Sequence, residues 1–317
     1  MFRVVFMGTP GFAVPSLQAL LEAGYPVVGV ITQPDRPKGR GGKVQESPIK
    51  KYAAARGLDV YQPASLRAEG LDLLQALAPD ICVTVAFGQI LSQEVLDVPR
   101  LGTVNVHASM LPHHRGAAPV QWALLMGDAE TGVTTMLTNK GVDTGDVLMR
   151  AACPIKDEDT AGTLLDRLSW MGADLLLQTL RRMEMGEYTR EKQDESNASY
   201  EPMLSREKGL LDFNEGTEAC LRRVRAMNPW PCAYARLSGG DLKVWKAKAA
   251  VLDNQLAEGI AGTVLYADEK HGLVIATADN AIELLEIQAP NSKRMDARAF
   301  LRGHPMNSGK LLSEVRT

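Results

Sequence analysis

The chain has 317 residues, 45% of them hydrophobic and 23% charged, with 28 glycines, 17 prolines and a formal net charge of −3. That composition excludes a collagenous, low-complexity or disordered protein, and the length is that of two domains rather than one. No apolar run approaches the ~20 residues of a membrane helix, MFRVVFMGTP has neither the basic flank nor the cleavage pattern of a secretory leader, and four scattered cysteines suggest neither a disulfide framework nor a clustered zinc site.

In chain order, FRVVFMG reads as a buried strand that enters a turn at Gly8 to Gly11, and residues 13–22 have helical spacing. A strand follows at 27–32, a helix at 48–56, an extended piece at 60–62, a helix near 70–77 and a buried strand at 81–86. Further strands are predicted at 103–106 and 131–137, and a long helix at 161–183. Strands alternating with helices imply an α/β, doubly wound, mostly parallel Rossmann-like sheet domain. The turn-rich, polar run 184–207 has few periodic apolar residues and reads as a connection. The expected division is a first domain over 1–188, a linker over 189–206 and a C-terminal domain over 207–317. Beyond the linker a helix at 217–227 precedes short strands at 232–237, 242–249, 262–267, 273–277 and 282–287, the spacing of a small, OB-like β-barrel. A reducing, cytoplasmic setting is the expectation for the whole chain.

The most informative stretch is NVHASMLPHHRGAAP, residues 105–119, directly after a predicted buried strand. Ligands of open α/β sheets bind beyond the carboxyl ends of strands. Asn105 and His107 are two apart in extended chain, so an amide donor and an imidazole share a face. Acyl transfer to an amine needs such a pair, a donor for the developing oxyanion and a group that takes and returns a proton. Asp143, in the GVDTGD turn at 141–146, is the candidate carboxylate to orient the imidazole. Taken singly, each has a plainer reading as a cap, a solvated histidine or a turn residue. A zinc site at the three histidines between 107 and 114 lacks further ligands at metal spacing and is not expected.

Together, Asn105-x-His107-x-Ser109-Met110-Leu111-Pro112, then Arg115-Gly116-Ala117-Ala118-Pro119 and Asp143-Thr144-Gly145-Asp146, resemble the signature of the folate-dependent formyltransferases. The likeness extends to VVFMGTPGFAVP at the start, AFGQIL at 86–91, NPWP at 228–231 and the C-terminal barrel, and is strongest to the branch that formylates initiator methionyl-tRNA. It implies that Asn105, His107 and Asp143 are catalytic and that 10-formyltetrahydrofolate is the formyl donor, with no metal. It further implies folate contacts from Ser109, Met110, Leu111 and Pro112 and from Phe87, Gly88, Gln89 and Ile90. Met110 stands where the family more often has leucine, and His114 where it often has tryptophan.

The basic loop at 33–51 carries Arg36, Lys38, Arg40 and Lys43 among glycines and prolines, with the flexibility to reach phosphates. By resemblance it is the insertion that binds the tRNA, with weaker contacts from Arg222, Arg223 and Arg225 in the C-terminal domain. The expected protein is a monomer that binds neither membrane nor DNA. GTPGFAVP lacks GxGxxG, which argues against a dinucleotide-dependent dehydrogenase. The remaining alternatives are a formyltransferase of small amines and an RNA-binding protein without catalysis.

Overall fold

Val4, Phe6, Val83, Val85, Val104 and Val106 turn to one face of the central strands while Val5, Met7 and Cys82 turn to the other, and both sets are buried. A sheet covered on both faces is what continuous apolar strands require, since neither set of side chains can be left in water. The computed structural model describes residues 1–38, 43–251 and 260–315, and the chain divides into two compact units.

The first unit comprises Met1–Pro119, Glu130–Pro154 and Leu165–Glu201. Its strands are β1 (Val4–Gly8), β2 (Val27–Ile31), β3 (Arg36–Lys38), β4 (Lys43–Gln45), β5 (Val60–Tyr61), β6 (Ile81–Val85), β7 (Thr103–His107), β8 (Arg115–Gly116), β9 (Glu130–Leu137), β10 (Val147–Pro154) and β11 (Tyr200–Glu201). Seven form one sheet in the order β10-β9-β7-β6-β1-β2-β5. It is parallel except at β9, which runs antiparallel to both β7 and β10. The chain leaves β1 towards β2 and β5 on one side and later fills β6 and β7 on the other, so the winding reverses between β1 and β6, where such sheets bind ligands.

The helices of the chain up to this point are α1 (Val14–Glu22), α2 (Pro48–Ala54), α3 (Leu66–Leu77), α4 (Gln93–Leu96), α5 (Pro119–Met126) and α6 (Ala161–Met185). Leu17 and Leu20 of α1 and Leu176 and Leu180 of α6 complete the core on the Val4 face, and Leu66 and Leu74 of α3 the core on the Val5 face. Three elements differ from their sequence expectation. The α3 helix begins at Leu66 and includes Gly70, where a Cβ would strike the Leu66 side chain; the glycine is a packing residue and not a boundary. The edge strand β10 was not expected, because its burial does not alternate and its register shifts between Val147 and Met149. In the basic loop, read from sequence as flexible, β3 and β4 form a short antiparallel pair, and Ser47 caps α2 by accepting from Lys50 N at 3.0 Å.

The second unit comprises Val120–Ala129, Ile155–Leu164 and Pro202–Thr317. Helix α7 (Thr217–Ala226) and strands β12 (Ala233–Leu237), β13 (Gly240–Ala249), β14 (Val264–Asp268), β15 (Gly272–Ala276), β16 (Ala281–Gln288) and β17 (Met295–Asp296) precede α8 (Ala297–Gly303). The sheet is antiparallel, ordered β12-β13-β16-β15-β14 with β17 on β16. The α7 arginines that sequence assigned to a nucleic acid are engaged within this unit. Arg222 Nη1 donates to Met126 O at 2.9 Å, Arg223 donates to the Leu210 carbonyl and pairs with Glu215, and Arg225 pairs with Glu218. Among the described residues no helix is long and apolar enough to cross a membrane. All four cysteines are buried free thiols, and burial pushes Cys82 up to about 12, far from a reactive thiolate.

Candidate active site

Because side chains alternate along β7, burying Val104 and Val106 against α6 leaves Asn105 and His107 on the opposite face. There Asn105 is in register with Thr84 of β6, and His107 with Thr134 of β9. The Thr84 hydroxyl donates to Asn105 Oδ1 at 2.9 Å, which fixes the amide plane and leaves Nδ2, with no protein partner among the described residues, as a free donor.

His107 is 7% exposed, and its Nε2 lies 3.0 Å from the carbonyl oxygen of His114. A carbonyl only accepts, so Nε2 carries the hydrogen and the lone pair of the neutral ring is on Nδ1. Nδ1 is 3.6 Å from Asp143 Oδ1, too far for a hydrogen bond. The other carboxylate oxygen, Oδ2, accepts from Gly116 N at 2.8 Å.

The Asp143 turn has few alternatives in sequence. Asp143 has φ 53°, in the left-handed region that aspartate tolerates better than most residues. Asn139 Oδ1 accepts from Gly141 N at 2.9 Å and from Thr144 Oγ1 at 2.8 Å, and Gly145 lies against the Leu137 carbonyl, where a Cβ would collide. Gly116, at φ 110°, meets the Glu201 carbonyl in the same way.

The residues 109–112 are braced from behind. Thr134 Oγ1 donates to Ser109 O at 2.7 Å and accepts from Leu111 N at 3.2 Å, while Arg150 Nε donates to Leu111 O at 2.8 Å. Ser109 Oγ donates to His113 O at 2.6 Å, and Leu111 packs with Met136 and Val147. Ser109 and Leu111 are therefore committed to the loop itself, and the part-exposed Met110 and Pro112 are the surfaces left to a ligand. In the 87–90 segment Phe87 is buried and its carbonyl accepts from Thr9 Oγ1 at 3.0 Å and Gln33 Nε2 at 3.3 Å. Gln89 is turned to α3, accepting from Leu66 N at 2.7 Å, while Gly88 and Ile90 are exposed.

Of the four basic-loop residues, Arg36 is exposed and touches Gln33 Oε1 at 3.4 Å; Lys38 and Lys43 are paired in the β3–β4 hairpin by their backbones; Arg40 lies outside the described residues. The loop is anchored at its base by Asp35, which binds Lys50 Nζ at 2.5 Å and Gln62 Nε2 at 2.8 Å; those two hydrogen bonds hold its carboxyl below the ordinary range.

Gln193, Glu195 and Glu201 had no sequence signal, whereas Arg115 belongs to the signature quoted above and lacked only its partners. Arg115 is fully buried and donates to Gln193 Oε1 at 3.0 Å, to both carboxylate oxygens of Glu195 at 2.8 and 2.9 Å and to Tyr200 OH at 2.5 Å. That guanidinium holds the Glu195 carboxyl below its usual range. His114, which stands where the family often has tryptophan, is a buried polar residue with Nδ1 3.0 Å from Glu201 Oε1. A buried arginine implies acceptors somewhere in the chain, but not which ones. Among the described residues no group of three or more His, Cys, Asp or Glu is arranged to hold a metal ion.

The chain matches the family model described as formyl transferase over residues 2–180, and that of the formyl transferase C-terminal domain over residues 203–305. It is 46% identical over 314 residues to a methionyl-tRNA formyltransferase of Symbiobacterium thermophilum, covering 99% of this chain and 96% of that one. It is 47% identical to another of that name from Bacillus licheniformis, covering 98% of each. Of solved structures, the N-formyltransferase of Helicobacter canadensis in complex with folinic acid and dTDP-3-aminofucose matches with a TM-score of 0.64 at 21% identity, covering 93% of this chain and 100% of that one, a likeness of fold.

Proposed function

The chain belongs to the formyl transferase family, and from that premise we propose that it transfers the formyl group of 10-formyltetrahydrofolate to the α-amino group of methionyl initiator tRNA, as a cytoplasmic monomer. The observation that carries this reading is the likeness, at 46–47% identity over nearly the whole chain, to proteins named methionyl-tRNA formyltransferase. The product, N-formylmethionyl-tRNA, serves translation initiation.

Asn105, His107 and Asp143 carry the chemistry. The neutral amine attacks the formyl carbon, forming the new C–N bond as the carbonyl electrons move onto oxygen, and Asn105 Nδ2 donates to that oxygen. His107 takes the amine proton at Nδ1, on the side of Asp143, whose carboxylate stabilises the charged ring. The proton is returned to folate N10 as the bond from N10 to the formyl carbon breaks, so charge and protons balance. The segments 87–90 and 109–112 hold the folate.

Arg36, Lys38, Arg40 and Lys43 bind the acceptor's phosphates, and residues 207–317 supply a second tRNA-binding surface. Replacing Arg36, Lys38 and Arg40 together by alanine is expected to raise KM for charged tRNA about tenfold near physiological salt, to weaken its salt dependence, and to leave KM for folate unchanged. Equal effects on both substrates would remove the assignment.

The reading as a whole is tested with labelled donor and charged or uncharged initiator tRNA. Label is expected on the methionyl amine of the charged species alone. Label on an amino-sugar nucleotide instead, or on no amine, overturns it.

A further inference from the structure

The polar run that composition assigns to a connection is tied to the 107–116 loop and to the Asp143 turn. Glu191 accepts from Arg150 Nη1 and Nη2 at 2.8 and 2.9 Å, behind the Leu111 loop that Arg150 holds. Ser199 O accepts from Arg115 N at 2.9 Å, and Ser199 Oγ from His114 N at 2.8 Å. Between these anchors lies Gln193. Its Nε2 donates to the main-chain carbonyls of Asp143 at 2.8 Å and Gly145 at 2.7 Å, and its Oε1 accepts from Arg115 Nε at 3.0 Å.

A primary amide has two N–H donors and one carbonyl, and here the nitrogen donates to two carbonyls while the oxygen accepts. Glutamate would supply the acceptor without donors, lysine or arginine donors without an acceptor, and an aliphatic residue neither. The two loops that Gln193 joins carry opposite halves of the His107–Asp143 pair: Arg115 closes the loop that begins at His107, and the accepting carbonyls belong to the turn that presents Asp143. That turn holds Asp143 at φ 53°, a conformation its neighbours must enforce. Gly116 N fixes one carboxylate oxygen, and Gln193 fixes the main chain on either side of Thr144.

We infer that Gln193 is a positioning residue for formyl transfer, holding the Asp143 turn so that its carboxylate meets the His107 ring when that ring takes the proton. The inference rests on the reading of Asp143 as the carboxylate that stabilises protonated His107. Misplacing a catalytic group by about 1 Å costs up to a hundredfold, so removing the donors of Gln193 has a measurable consequence for rate.

The test is a double-mutant cycle of Gln193→Glu, which preserves size and the acceptor for Arg115, with Asp143→Asn. Gln193→Glu alone is expected to lower kcat about tenfold with both KM values within about twofold of wild type, and to change kcat less than about twofold when Asp143 is already asparagine. Gln193→Met, which fills similar space without a donor, takes its place in the cycle if the glutamate variant does not fold. A lowered Tm with unchanged kcat, or full additivity with a slow Asp143→Asn, overturns the positioning role alone. Wild-type kcat in Asp143→Asn overturns the reading of Asp143 and the inference with it.

Discussion

Asn105→Ala is expected to lower the single-turnover rate of formyl transfer at least a hundredfold, about 3 kcal/mol of transition-state stabilisation, while the protein remains folded. The size follows from where the amide stands. Its oxygen is engaged by the Thr84 hydroxyl at 2.9 Å, so the donor side is oriented before substrate arrives and no reorganisation is needed as charge grows on the formyl oxygen. The fold should tolerate the change because Asn105 is only partly buried and makes one side-chain bond, to the Thr84 hydroxyl. Asn105→Asp separates donation from mere polarity. It keeps an oxygen for Thr84 and sets a negative charge where a second one must develop, so it should be at least as slow as alanine. Rapid-quench measurements with saturating donor and charged tRNA read the rate, and thermal unfolding reads the fold; a rate within about threefold of wild type in either variant would sink the oxyanion role.

The legibility of this site follows the range of the interactions that make it. Asn105 and His107 were readable because one strand's period of two decides which face each occupies, and Val104 and Val106, alternating with them, identify the buried face. The doubly wound sheet was readable for the same local reason, repeated in β1, β2 and β6. Asp143 was a candidate from its tight turn and was singled out by the resemblance, since a carboxylate in a glycine turn has no periodic signature. Gln193, Glu195 and Glu201 could not be read at all. They lie in a polar run whose partners, Asp143, Arg115 and His114, are 50 to 87 residues distant in sequence, and nothing in a polar run specifies a distant partner. The α7 arginines show the opposite case. A cluster of positive charge is visible in sequence, but the carboxylates and carbonyls that engage it are not.

For His107 the expected loss is larger in range, between about a hundredfold and ten-thousandfold for His107→Ala, because in the proposed role the ring both removes and returns a proton. The bond from Nε2 to the His114 carbonyl decides what each replacement tests. His107→Gln carries an amide donor that can serve His114 but has no basic nitrogen for the amine proton. It should be as slow as alanine while melting closer to wild type, which separates proton transfer from support of the loop. Asp143→Asn should cost less than either, since it leaves Nδ1 able to accept the proton and removes only the charge 3.6 Å away that favours it. If the carboxylate acts through the ring, Asp143→Asn should add little once His107 is alanine, because no imidazolium remains for it to stabilise. Independent, multiplying losses in that pair would mean that Asp143 reaches the reacting amine by itself, and the proton path assigned to Nδ1 would have to be abandoned.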